Sequence, residues 1–163
     1  MPLWVFIMSA SIASCAPAGP VATRLTPGST LVGYWALASF EDWDSAGNRS
    51  TPFGEHPRGY VQYTPSGRMT LQVARAPGPR PFAKGAEQGT AREKANAFDA
   101  YIAYFGTYTV DSTRHTVIHR VEADINPSFT GSRDPRPYRI AGDSLILGDG
   151  RTWRRVFLRV TAE

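Results

Sequence analysis

Gly33-Tyr34-Trp35 opens the first β-branched, aromatic-rich run of the chain, after a Pro/Gly-rich leader, and its reading decides the fold. Side chains alternate along a strand, so Gly33 and Trp35 share a face. The glycine lets the backbone approach closely while the indole fills the space. That pairing suits the closed floor of a small β-barrel, where one aromatic ring plugs the end. Residues 31–43 read as one long strand, ended by the turn-forming cluster Asp44-Ser45-Ala46-Gly47-Asn48. If Trp35 points inward, parity turns Leu37, Ser39 and Glu41 inward with it.

Further along, residues 58–64 and 68–75 read as strands joined by Pro65-Ser66-Gly67, a hairpin signal. The stretches 51–57 and 77–89 are loops, the second carrying three prolines and three glycines. Thr90-Ala91-Arg92-Glu93 has the spacing of a capping box, in which the threonine oxygen and the glutamate carboxylate satisfy orphan amides reciprocally. Ala91, Ala95, Phe98 and Ile102 fall near helical spacing, which predicts one helix over 91–103, packed on the barrel or set as a lid over its mouth. Strand signals resume at 104–110 and 113–123, and 124–137 reads as a long loop with three prolines. A short hairpin of 138–140 and 144–147 and a last strand at 152–160 complete the pattern. The fold class is all-β: about eight antiparallel strands with one mid-chain helix, enough to close a barrel with room for side chains or one small ligand.

The chain has 163 residues, 42% hydrophobic and 12% aromatic, with 15 Gly and 13 Pro, which fits one all-β domain after a short leader. Its net charge of +4 comes from arginines spread along the chain, so no basic stripe marks a nucleic-acid partner. Cys15 is the sole cysteine, which excludes a disulfide framework and a cysteine metal site. Residues 3–12 form an apolar run of the length of a secretory core and too short to span a bilayer. Ile12-Ala13-Ser14-Cys15 resembles the bacterial lipoprotein signal, in which small residues precede a cysteine that is lipidated. Residues 1–15 are thus a signal segment, 16–30 a flexible tether and 31–163 the barrel. By the sorting rule of that resemblance, Ala16 after the cysteine favours the periplasmic side of the outer membrane, with Cys15 as lipid anchor. A cleaved peptide cut after Ala18, giving a soluble exported protein, and an unprocessed cytoplasmic N-terminus are the competing readings.

Several segments together support a family resemblance. They are Leu31-Val32-Gly33-Tyr34-Trp35 with Phe40-Glu41, the run from Gly59 through Tyr63 and Pro65 to Met69, Phe98-Asp99-Ala100-Tyr101, Tyr104-Phe105-Gly106-Thr107-Tyr108, Val121-Glu122 and Arg151-Thr152-Trp153-Arg154. In this order and spacing the chain resembles the bacterial and fungal lipocalin-like domain family over 31–160. The resemblance implies a lipocalin-type barrel whose first-strand tryptophan, Trp35, is capped by an arginine near the last strand, here Arg154 or Arg155, through a cation–π contact.

Within such a barrel, Tyr104, Gly106, Tyr108 and Val110 share one face, as do Val117, His119, Val121 and Ala123. For 58–64, either Val61 and Tyr63 or Tyr60 and Gln62 face inward. An inward His119 among apolar neighbours, with Tyr108 on the preceding strand, is the candidate polar anchor of a ligand cavity. The candidate ligand-contacting set is Ser39, Glu41, Tyr63, Tyr104, Tyr108 and His119. The expected function is an exported barrel holding a small apolar or amphipathic molecule. Two alternatives stand beside it: an isomerase or cyclase using His119 and Tyr108 for proton transfer, and a structural envelope lipoprotein with a filled barrel. No metal or cofactor is expected, since His56, His115 and His119 are scattered. Oligomeric state is not readable from these residues.

Overall fold

The computed structural model describes residues 30–161; the signal segment, Cys15 and nearly all of the tether lie outside them. The elements in chain order are β1 (Gly33–Trp43), β2 (Arg49–Ser50), β3 (Arg58–Tyr63), β4 (Arg68–Ala74), α1 (Ala91–Asp99), β5 (Tyr101–Asp111), β6 (Thr116–Asp124), a 3-10 turn (Pro127–Phe129), β7 (Arg133–Ala141), β8 (Ser144–Leu147) and β9 (Trp153–Arg159). Every ladder is antiparallel, and β1 pairs with β9 from Trp35↔Arg159 to Asp42↔Trp153. That last pairing closes the sheet, so eight strands form a barrel and the two-residue β2 is a flap on the far end of β1. Closure leaves no long unpaired edge.

Trp35 is fully buried at the floor. Its indole Nε1 donates to the Leu31 carbonyl at 2.9 Å, which satisfies the buried ring. Gly33 sits at φ +145°, and a Cβ there would lie 2.7 Å from Arg159 Nη1. Glycine suits this positive φ and gives room to the guanidinium, whose carbon lies 3.9 Å from the Trp35 ring centroid. The arginine that caps the indole is therefore Arg159, correcting Arg154 and Arg155. The antiparallel register explains the difference: Arg154 pairs with Glu41 and Arg155 with Phe40, at the opposite end of β1.

The ladder slips between Leu37 and Ser39, where Ala38 is the extra residue of a β-bulge. Beyond it the faces of β1 exchange. Phe40 joins the core, while Ser39 and Glu41 face outward, against the parity expected from Trp35. Glu41 is nonetheless covered: Arg49 of the flap and Arg154 of β9 both donate to its carboxylate. A second bulge, between Phe105 and Gly106, sets Asp124 rather than Ala123 opposite Tyr104. In β3, Val61 and Tyr63 are the inward pair, buried beside Met69, Leu71 and Val73 of β4.

Two element boundaries differ from expectation. The helix keeps its capping box, with Thr90 Oγ1 accepting from the Glu93 amide and Glu93 accepting from the Thr90 amide, but it ends at Asp99. The next residues enter β5, whose ladder with β4 begins at Ala74↔Tyr101. None of its residues is buried, so α1 stands at the rim rather than packed against the barrel wall. The supposed loop 124–137 contains the first half of β7, including Pro135 and Pro137. Over 133–137 β7 pairs with β6 alone, and β8 joins only from Tyr138. The prolines, lacking N–H groups, lie where one side of the strand needs no donor.

Candidate functional site

The barrel has an apolar floor and a polar upper half. Near the floor, Leu145, Leu147, Phe157, Val61 and Val117 close around Trp35. Toward the mouth, inward positions of β1, β9, β7 and β5 carry Phe40, Arg155, Trp153, Arg136 and Tyr104. The two arginines lie between the rings. The Arg155 guanidinium is 3.2 Å from the Phe40 centroid and 5.4 Å from that of Trp153. Arg136 lies 5.4 Å from Trp153 and 5.9 Å from Tyr104. Asp42 pairs with Arg155 at 2.8 Å and Asp134 pairs with Arg136, so the two cations have matching anions. Arginine suits this role because its planar, weakly hydrated group stacks on rings as it binds carboxylates.

Beside this ladder lies a cavity of about 330 Å³. Its apolar wall comes from Phe53 of the 51–57 loop, Phe98 at the end of α1, Ile102 of β5, Val121 of β6, and Ile125 and Phe129 after β6. Tyr104, Asp124, Asp134 and Arg136 supply its polar end. Phe98, Ile125 and Phe129 remain substantially exposed, forming an apolar rim at the entrance. Larger recesses lie elsewhere. One of about 440 Å³ opens sideways where β1 and β3 diverge after Ala36↔Tyr60, and one of about 650 Å³ sits outside the barrel under the proline-rich segment 77–81. The mouth cavity joins an apolar wall to a few convergent polar groups, which is what a small-molecule site needs.

His119 is buried with 0% exposure, below this cavity. Its Nε2 lies 2.8 Å from the Tyr63 hydroxyl and its Nδ1 2.9 Å from the Tyr104 hydroxyl. Burial, aided by the nearby Arg136 charge, holds its pKa well below the usual 6.5, so the imidazole is neutral. Burial also pushes the Tyr63 phenol well above 10 and the Tyr104 phenol up to about 12, so both keep their protons.

The structure brings together three of the residues singled out in sequence: His119, Tyr63 and Tyr104. Tyr108 stands opposite His119 in the ladder but does not bond to it. Its hydroxyl donates to the Thr64 carbonyl at 2.8 Å, in the β3–β4 turn, and its ring meets Tyr63 edge-on. The partner of His119 across β5 is Tyr104 instead. Ser39 and Glu41 are on the outer face and touch no part of the mouth cavity. Among the described residues, no group of three His, Cys, Asp or Glu side chains is placed to hold a metal ion.

Asp134 and Arg136 were missed because their segment reads as a proline-rich loop. A signal was present: Asp134, Arg136, Tyr138 and Ile140 alternate with Arg133, Pro135, Pro137 and Arg139, the period of a strand with one solvated face. Phe53 and Phe129 lie in irregular segments, where no period exists to find them.

A family model described as a lipocalin-like domain matches residues 32–156. Among curated proteins, a 4'-hydroxy-3'-methoxypropiophenone carrier protein, ppsC, of Aspergillus oryzae is 37% identical over 86 residues, covering 48% of this chain and 77% of that protein.

Proposed function

We propose that this chain, which belongs to the lipocalin-like domain family, is a carrier that holds one small amphipathic aromatic molecule in the mouth of its barrel. The observation that carries the reading is the 330 Å³ cavity with aromatic and aliphatic walls and a polar end. Its size falls in the lower part of the range for ligand sites, about 300–1,000 Å³, which favours a carrier over a solid structural barrel. The similarity to a protein named as a carrier of an aryl ketone points to the same chemical class. Titration with 4'-hydroxy-3'-methoxypropiophenone, followed by calorimetry and native mass spectrometry, tests it. One-to-one binding that weakens in Phe129→Asp is expected; no binding of this or of unsubstituted propiophenone overturns the reading.

An isomerase or cyclase in the same cavity is the second reading, favoured by the hydrogen-bonded chain Tyr63–His119–Tyr104. His119 is enclosed, so any proton transfer to a substrate runs through Tyr104 and not through Tyr108. Under that reading His119→Ala abolishes turnover; under the carrier reading it alters binding alone.

The carrier is exported and anchored through Cys15 at the periplasmic side of the outer membrane. The support is the Ile12-Ala13-Ser14-Cys15 sequence and the tether after it. Labelling with a radioactive fatty acid in a Gram-negative host, lost in Cys15→Ser, is the expected result. An unlabelled protein in the soluble fraction contradicts it.

A further inference from the structure

Proton accounting in the Tyr63–His119–Tyr104 chain leaves one hydroxyl proton over. A neutral imidazole has one N–H and one bare nitrogen. Each of its nitrogens faces a phenol oxygen, at 2.8 and 2.9 Å. One tyrosine therefore donates to the bare nitrogen, and the other accepts the N–H and keeps its own proton for a different acceptor. In one tautomer that spare proton belongs to Tyr63. Its side chain is 1% exposed, does not border the cavity, and offers its hydroxyl no second acceptor among the described residues. A buried donor left unmatched is costly, about 1–3 kcal/mol. In the other tautomer Tyr63 donates to Nε2, Nδ1–H donates to Tyr104, and the spare proton belongs to Tyr104, which borders the cavity.

Arg136, beside it on the cavity wall, has an Nε without a partner among the described residues. The Tyr104 hydroxyl has His119 Nδ1 as its hydrogen-bond partner and no acceptor for its own proton among the described residues. Tyr104 thus faces the cavity with a proton that no described residue takes.

We propose that Tyr104 is an obligate hydrogen-bond donor to the ligand, and that the ligand enters with a carbonyl oxygen leading and its apolar or aromatic body toward Phe98 and Phe129. The inference rests on the carrier reading and adds the orientation and the recognised atom. His119 is a positioning residue: it aims the Tyr104 proton and does not touch the ligand.

Two measurements test this. Long-range proton–nitrogen NMR of His119 in the ligand-free protein should show the proton on Nδ1; a proton on Nε2 overturns the inference and leaves the carrier reading intact. Propiophenone and propylbenzene, which share a ring and a three-carbon chain and differ by the carbonyl oxygen, are then compared as probes. The wild-type protein should prefer propiophenone about tenfold, and Tyr104→Phe should erase that preference while retaining propylbenzene. Tyr63→Phe, which breaks the relay but keeps Tyr104, guards against a general loss of fold and should keep at least part of the preference. Equal binding of both probes to the wild-type protein refutes the donor role alone. Binding of neither refutes the carrier reading and the inference with it.

Discussion

The two ends of the barrel use the same kind of contact to opposite effect. At the floor, Arg159 lies on Trp35 and its two Nη groups donate to the carbonyls of Val32 and Thr30, while the indole donates to Leu31. At the mouth, Arg136 lies between Trp153 and Tyr104, but its Nε and one phenolic proton of the Tyr–His–Tyr chain have no taker. At the floor the indole N–H and both Nη groups find carbonyls, and that makes a plug. Unmatched donors at the mouth instead cost stability unless something fills the cavity. On the carrier reading, the contrast separates residues that serve folding from residues that serve binding, although both are arginines on aromatic rings.

If that contrast is right, the largest effect on stability comes from the floor. Trp35→Ala should lower unfolding stability by about 3–5 kcal/mol in urea titrations, since it empties a fully buried indole site. Ligand affinity of the fraction that remains folded should hardly change. A mild loss would mean that the floor is not the keystone.

The next effect sharpens the division between the halves. His119 is held neutral in the folded chain, with its pKa well below the 6.5 of the unfolded chain. Below pH 6.5 the unfolded state takes up a proton that the native state refuses, so acid favours unfolding. Stability should fall by up to about 1.4 kcal/mol per pH unit under 6.5, until the native pKa is reached, with no contribution above it. Other groups titrate too, so the measurement is the difference in denaturation midpoint between wild type and His119→Gln from pH 7.5 to 4.5. The curves should converge on acidification, and parallel curves would deny a buried neutral imidazole.

The smallest effect compares the arginines directly. Arg159→Met should cost about 1 kcal/mol or a little more, through the lost cation–π contact and two hydrogen bonds to carbonyls, without touching ligand binding. Arg136→Met should do the reverse, weakening propiophenone more than it weakens the fold, because Asp134 is partly exposed and can hydrate. Equal behaviour of the two variants would dissolve the distinction.

How much of this was legible in the sequence follows the same line. The floor was readable because its information is local: Gly33 and Trp35 are two residues apart on one face, and turn residues mark the hairpins around them. Closure into a barrel with one capped helix was readable for the same reason. The mouth was not. Ala38 carries no mark of a bulge, so parity counted from Trp35 misassigned Ser39 and Glu41. Sequence places Tyr108 on the strand preceding His119, yet ring direction along the strand, which no spacing encodes, gives His119 to Tyr104. Proline content hid β7, and with it Arg136 and Asp134. Which arginine meets Trp35 depends on the β1–β9 register, a pairing between the two ends of the domain.

The extra residue in β1 makes that strand a sentence read in two frames. Up to Leu37 its odd-numbered residues form the interior, and from Phe40 onward its even-numbered ones do. Pairing Ala38 into the ladder would give a single frame: Phe40 and Asp42 would swing to the outer surface, and the Glu41 carboxylate would enter the stack of arginines and rings, whereas deleting Ala38 would remove the bulge and leave Phe40 inward. One unpaired residue thus separates an entrance that stays open from an entrance occupied by the protein's own acid.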